Sequence, residues 1–266
     1  MNQLSFLAAR GNLIHVTIAG QGSPLILLHG FPLDHRQWLP QLESLSAHYR
    51  VIAPDLRGFG RSSLNEAGYT IADLADDVEQ VRMHLAADDP LALCGLSMGG
   101  YVALEYWRRH ASRLSSLILS NTKPDGDSPT ALAARQAMID SAQQHGSWEA
   151  VSPMLTKLLT QTHNEAHGEL FDCVQQMLRD CSIEGLVAAQ QAMSGRTDFI
   201  ASLPAIQIPT LVITGEQDSI APPAATRKWA AVLPDGQCHV IPGAAHVTPL
   251  ESPAEFNRLV HQFLSI

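Results

Sequence analysis

The chain has 266 residues, 45% of them hydrophobic and 16% charged, a balance that supports a large buried core and excludes a disordered chain. Seventeen basic against 26 acidic residues leave a formal net charge of −9 with no basic run, which argues against nucleic acid or an anionic membrane surface as the main partner. Four cysteines without CxxC or metal-finger spacing, an N-terminus (Met1–Arg10) without a signal-peptide pattern and apolar runs far short of the ~20 residues of a spanning helix predict a cytoplasmic protein with reduced thiols.

Leu13–Ala19 reads as a strand that ends at the Gly20-Gln21-Gly22 turn. Short apolar runs follow at Leu25–Leu28, Val51–Ala53, Leu91–Cys94 and Leu114–Leu119, and later at Thr210–Thr214 and Cys238–Ile241. Several lack polar alternation, as strands buried on both faces of a parallel sheet do. Leu74, Val78, Val81 and Leu85 form one stripe of an amphipathic helix between them, and Phe256, Leu259, Val260 and Phe263 form another near the end. Ser252, Pro253 and Glu255 predict a capped start for that last helix. The segment from about Lys123 to Ile200 breaks the rhythm: Leu132, Met138, Met154, Leu158, Met177 and Leu178 sit in helical patterns without a convincing strand. Strand–helix alternation with this interruption predicts an α/β fold, a mostly parallel sheet flanked by helices. The predicted core covers residues 1–122 and 201–266, and a helical lid covers 123–200.

The sharpest chemical signal is Gly95-Leu96-Ser97-Met98-Gly99, between a predicted strand and a helix-compatible stretch, Tyr101–Arg109. A tight strand-to-helix turn lifts a serine hydroxyl clear of the sheet, and only small residues two before and two after let the backbone pass so close. A serine needs a base, and the base needs a carboxylate to fix its tautomer. His246 lies past the last predicted strand in Gly243-Ala244-Ala245-His246. Asp218 lies past the preceding one in Gly215-Glu216-Gln217-Asp218, with Glu216 and Asp125 as weaker competitors. An oxyanion requires two N–H donors. Met98, after the serine, supplies one, and Phe31 in His29-Gly30-Phe31-Pro32 the other, because Pro32 has no N–H. His29 reads as a structural residue of that loop.

These segments, with Asp55-Leu56-Arg57-Gly58-Phe59-Gly60-Arg61-Ser62, resemble the α/β-hydrolase fold family in its serine esterase and lactonase branch, across nearly the whole chain except the insertion. The resemblance implies that Asp55–Ser62 shapes a loop beside the site, and Ser97 stands where related haloalkane dehalogenases have an aspartate. It implies a carboxylic-ester hydrolase acting through an acyl-enzyme, with catalytic Ser97, Asp218 and His246, and no cofactor or metal. Lactone opening, C–C bond hydrolysis and a slow-turnover receptor use the same set. Phe31, Trp38, Leu96 and Val247 are expected to contact substrate, Trp38 having packing beneath the loop as an equal alternative. The lid carries five basic against ten acidic side chains, a net of −5. That balance predicts a free small-molecule substrate rather than an acidic carrier protein, and the Leu, Met and Phe of the lid predict an uncharged, mostly apolar one, with little dependence on salt.

Overall fold

Apolar residues on both faces of the central strands set the architecture. A computed structural model describes residues 2–7, 11–65, 68–86 and 89–265; Met1 and residues 8–10 of the N-terminal stretch lie outside them. The described strands are β1 (Asn2–Leu7), β2 (Leu13–Ala19), β3 (Pro24–Leu28), β4 (Arg50–Pro54), β5 (Leu91–Leu96), β6 (Leu114–Ser120), β7 (Thr210–Gly215) and β8 (Gly236–Ile241). They form one sheet in the order β1-β2-β4-β3-β5-β6-β7-β8. β1 and β2 are antiparallel to their neighbours and every other pairing is parallel. β1 has no counterpart in the sequence-based expectation; the rest match within one or two residues at each end.

Successive residues of the central strands feed two separate cores. Leu25, Leu27, Val51 and Ile118 pack with Trp38 and Phe256 on one face. Ile26, Leu28, Ile52 and Leu93 pack with Val78 and Val102 on the other. The first face is covered by α1 (Leu39–Leu45) and the C-terminal helix, residues 253–264. The second is covered by α2 (Ile71–Leu85) and α3 (Met98–His110). Thr70 and Asp73 form a reciprocal capping box that starts α2.

Between β6 and β7 stand six helices: α4 (Pro129–His145), α5 (Ser147–Val151), α6 (Leu155–Leu158), α7 (Gln161–Ala166), α8 (Glu169–Asp180) and α9 (Ile183–Ser194). The chain re-enters the core through β7, α10 (Pro223–Ala230) and β8, then α11 (Thr248–Glu251) and α12 (Pro253–Leu264). Ser252 stands at the start of α12 as expected, but its side chain makes no capping hydrogen bond. The Phe256 N–H instead donates to the Ser252 carbonyl. Among the described residues no helix is long and apolar enough to cross a membrane. Cys94 and Cys181 are buried, Cys173 is half-buried and Cys238 exposed, all as free thiols.

Behind the ends of the parallel strands, the loop after β4 buttresses the loop after β3. Leu56 N–H donates to His29 Nε2 at 2.9 Å, while His29 Nδ1 bonds the Gly30 carbonyl at 2.9 Å. Burial pushes the His29 imidazole down, against the pull of nearby Asp55, which keeps it the neutral donor–acceptor this position needs. Arg57 anchors the buttress to α2 through two 2.6 Å bonds to Asp77, with both side chains at most 4% exposed. Arg57→Met should cost about 3–5 kcal/mol, because it strands a buried carboxylate. The Arg57→Met/Asp77→Leu double variant should recover most of that loss in urea melts. A double variant no more stable than the single one would contradict this account.

Candidate active site

Steric closeness sets the backbone of Ser97. The residue sits between β5 and α3 at φ 54° and ψ −113°, in the left-handed half of backbone space that a serine rarely enters. A side chain at Gly95 would run into the Gly99 carbonyl, and one at Gly99 into the Leu28 carbonyl. A side chain at Gly100 would meet the Thr122 side chain. Those approaches explain the three glycines. Ser97 N–H donates to the Ser120 carbonyl at 3.0 Å, and Thr122 Oγ1 donates to the Ser97 carbonyl at 2.8 Å, so the turn is tied to the end of β6. A Cβ added at Gly30 would lie 3.4 Å from Ser97 Cβ, which places the loop after β3 directly against the serine. Phe31 follows Gly30 in that loop and Met98 follows Ser97, and neither N–H has a hydrogen-bond acceptor among the described residues. Gln37 Oε1 accepts from the Gly30 N–H at 3.0 Å and holds the loop.

Asp218 and His246 meet in the loops that follow β7 and β8. His246 Nδ1 and Asp218 Oδ2 are 2.9 Å apart, with His246 2% and Asp218 3% exposed. Asp218 Oδ1 accepts from the Ile220 and Ala221 N–H groups at 2.8 and 2.9 Å, and Oδ2 from the Asn121 amide at 2.8 Å. Burial opposes its ionisation. The facing His246 charge, the His246 hydrogen bond, the Ala221 N–H and the Asn121 amide outweigh that and hold the carboxyl below its usual range. An ionised Asp218 only accepts, so Nδ1 is the nitrogen that donates to it and Nε2 is the one left for the serine.

Two residues that the sequence reading did not single out hold this pair. Asn121, itself at φ 47°, also donates to the Ala245 carbonyl at 3.1 Å and accepts from Thr248 Oγ1 at 2.7 Å. Glu251 accepts from the Ala245 N–H and, across the insertion, from the Thr160 N–H, both at 2.7 Å. The insertion also grips the histidine directly: the His246 and Val247 N–H groups donate to the Leu158 carbonyl at 3.1 and 3.3 Å. The competing acids are elsewhere. Exposed Glu216 accepts from the Gly243 N–H at 3.0 Å, and Asp125 offers its backbone carbonyl to Arg196.

Ser97, His246 and Phe31 share a cavity of about 490 Å³, walled by Tyr101, Met154 and Ile220 among others. The other three residues expected to touch substrate lie outside its wall. Trp38 is fully buried against Phe256, with ring centroids 6.0 Å apart, because its helical turn faces the α1–α12 core. Leu96 points into the same core and props Gly30 from below, and Val247 is buried beneath the histidine loop. A larger depression of about 560 Å³ lies at the opposite strand ends, by Pro24, Ala92 and Gln237, away from these groups.

Folding also assembles a group that sequence spacing gave no sign of. Among the described residues, His15, His35 and Asp55 bring three potential metal-ligand atoms within 4.8 Å. Asp55 already accepts from the His35 N–H, His35 Nδ1 and the Arg61 N–H, bonds that fix the loop after β4.

The alpha/beta hydrolase family model matches residues 25–259. A non-heme chloroperoxidase of Kitasatospora aureofaciens is 31% identical over 262 residues, covering 92% of this chain and 94% of its own. A 3-oxoadipate enol-lactonase of Acinetobacter baylyi is 27% identical, covering 96% and 94%. Among solved structures, a thermophilic esterase from Thermogutta terrifontis with malate bound superposes with a TM-score of 0.93. It shares 34% identity over 100% of this chain and 98% of its own.

The depressed Asp218 pKa carries a sign. Its stabilisation is present above the unfolded carboxylate value of ~3.9 and is lost as pH falls through the lower folded value. Asp218→Asn should therefore lower stability by about 2 kcal/mol near pH 7, with the gap to wild type closing towards pH 3 in calorimetric melts. A gap that widens on acidification would contradict this placement of charge.

Proposed function

The chain belongs to the alpha/beta hydrolase family, and from that premise we propose that it is a serine hydrolase that cleaves small carboxylic esters through an acyl-enzyme. The observation that carries the reading is Ser97 on its glycine-flanked turn, facing the cavity that also holds His246 with Nδ1 engaged by Asp218. Ser97 Oγ attacks the acyl carbon while its proton passes to His246 Nε2. The Phe31 and Met98 N–H groups receive the charge that develops on the carbonyl oxygen. Collapse breaks the bond to the leaving alkoxide, which takes the proton back from Nε2 and departs as the alcohol. Water then attacks the acyl-enzyme, gives its proton to Nε2, and the acid leaves as Ser97 recovers the proton. Asp218 holds the imidazole in the required tautomer and balances its charge in both halves. Lactone opening is the same sequence with the leaving alkoxide tethered to the acyl group. A similar esterase with malate bound and a similar 3-oxoadipate enol-lactonase support a small-molecule substrate.

Ser97→Ala should lower kcat/KM for simple ethyl esters by about 10⁴-fold or more, because the three groups act as a unit. Its melting temperature should stay within about 3 °C of wild type, since the oxygen removed leaves an open cavity wall rather than a packed core. A Ser97→Ala protein that retains a tenth of the wild-type rate would place the nucleophile elsewhere.

A further inference from the structure

Charge on the insertion is segregated. Eight of its ten acidic side chains are exposed, including Asp140, Glu149, Glu169 and Asp198. Among the described residues Asp127 is the only acid on the cavity wall, and its charge is consumed: it accepts from Arg135 and from Arg196, and its side chain is 1% exposed. Burial opposes ionisation of Asp127, but the hydrogen bonds from Arg135 and Arg196 hold its carboxyl below the usual range. Three cations stand on the same wall: Lys123, Arg135 and Lys157. Arg135 is spent on Asp127 and Gln190. Lys123 and Lys157 have no hydrogen bond or ion pair among the described residues. Lys123 is half-buried, one residue beyond Thr122, whose hydroxyl grips the Ser97 carbonyl. Lys157 is exposed on α6 at the edge of the cavity, one residue before the Leu158 carbonyl that holds the His246 loop. Tyr101, on the same wall, has no hydrogen bond from its hydroxyl among the described residues either.

We infer that Lys123 and Lys157 form a subsite for a carboxylate on the substrate, at the end of the molecule remote from the bond that Ser97 attacks. The inference rests on the proposed hydrolase reading and names the substrate class for that same cavity: a half-ester or lactone that carries a free carboxylate. Two ammonium groups on separate elements match a singly charged, two-oxygen acceptor. The same wall also carries Ala131, Ala134, Met138 and Met193, an apolar surface that suits a short methylene spacer. The net lid charge of −5 does not oppose such a ligand. Eight of the acids are exposed away from the cavity wall and are screened within about 8–10 Å, whereas both lysines belong to that wall. An anionic substrate also gives the reaction a salt dependence, where the charge count alone predicts little.

The test compares two matched pairs, so that either end of the ester can carry the charge. Monoethyl adipate is set against ethyl 6-methylheptanoate, and 4-acetoxybutyrate against 4-methylpentyl acetate. In each pair a branched alkyl end replaces the carboxylate. The expected result is an anionic-to-neutral kcat/KM ratio of about ten or more in at least one pair. Lys123→Met and Lys157→Met should each lower that ratio about tenfold, and raised salt should lower it too. Lys228→Met, on the exposed face of α10, should leave the ratio unchanged. Calorimetry provides the second readout: adipate should bind the Ser97→Ala protein, and either lysine substitution should weaken it about tenfold or more. Neutral esters favoured in both pairs, or lysine variants that leave the ratio and adipate binding unchanged, would overturn the inference while leaving the hydrolase reading intact. Adipate binding through the lysines with no ester turned over would support the subsite and overturn the hydrolase reading instead.

Discussion

A close approach of backbones at the turn from β5 into α3 fixes where the reacting groups of this protein stand. Gly95, Gly99 and Gly100 press against the Gly99 carbonyl, the end of β3 and Thr122, and none of those contacts leaves room for a Cβ. The serine between them is held at a positive φ that it would not choose in isolation. The cost is met by the surrounding sheet, whose central strands are sealed on both faces. Because β3, β5, β6, β7 and β8 are parallel, the loops that follow them open on one rim. That is why Phe31, Ser97, Asn121, Asp218 and His246, far apart in the chain, share one neighbourhood.

The second level of order is polar and spans the core and the insertion. Asn121 links Asp218 to the Ala245 carbonyl, and Glu251 links the Ala245 N–H to Thr160. The Leu158 carbonyl at the end of α6, unpaired by its own short helix, is met by the His246 and Val247 N–H groups. The insertion is therefore both the roof of the cavity and part of the clamp on the imidazole. Substitutions near Leu158 or Thr160 act on the geometry of the base as well as on the shape of the cavity.

Much of this was legible in the chain. Apolar runs bounded by glycine and proline gave the parallel strands, and the glycine spacing around Ser97 gave the turn, because both signals are local and steric. β1 escaped because an antiparallel edge strand needs no continuous apolar run. Asn121 escaped because a single asparagine after a strand has no periodicity, and its role depends on Asp218, Ala245 and Thr248, all more than ninety residues away. Trp38 illustrates the limit of proximity in sequence: seven residues after Phe31, it turns into the opposite core. The charges of the insertion show a related limit. A sum has no direction: eight of the ten acids are exposed, Asp127 is paired on the cavity wall, and Lys123 and Lys157 line the same cavity.

The most direct test of the account is to trap the intermediate. Wild-type protein mixed rapidly with a p-nitrophenyl ester and quenched in acid should gain the mass of one acyl group, at a rate matching the release of nitrophenol. Peptide mapping should place that group on Ser97. An adduct on another residue, or ester turnover with no acylated protein at any quench time, would contradict it.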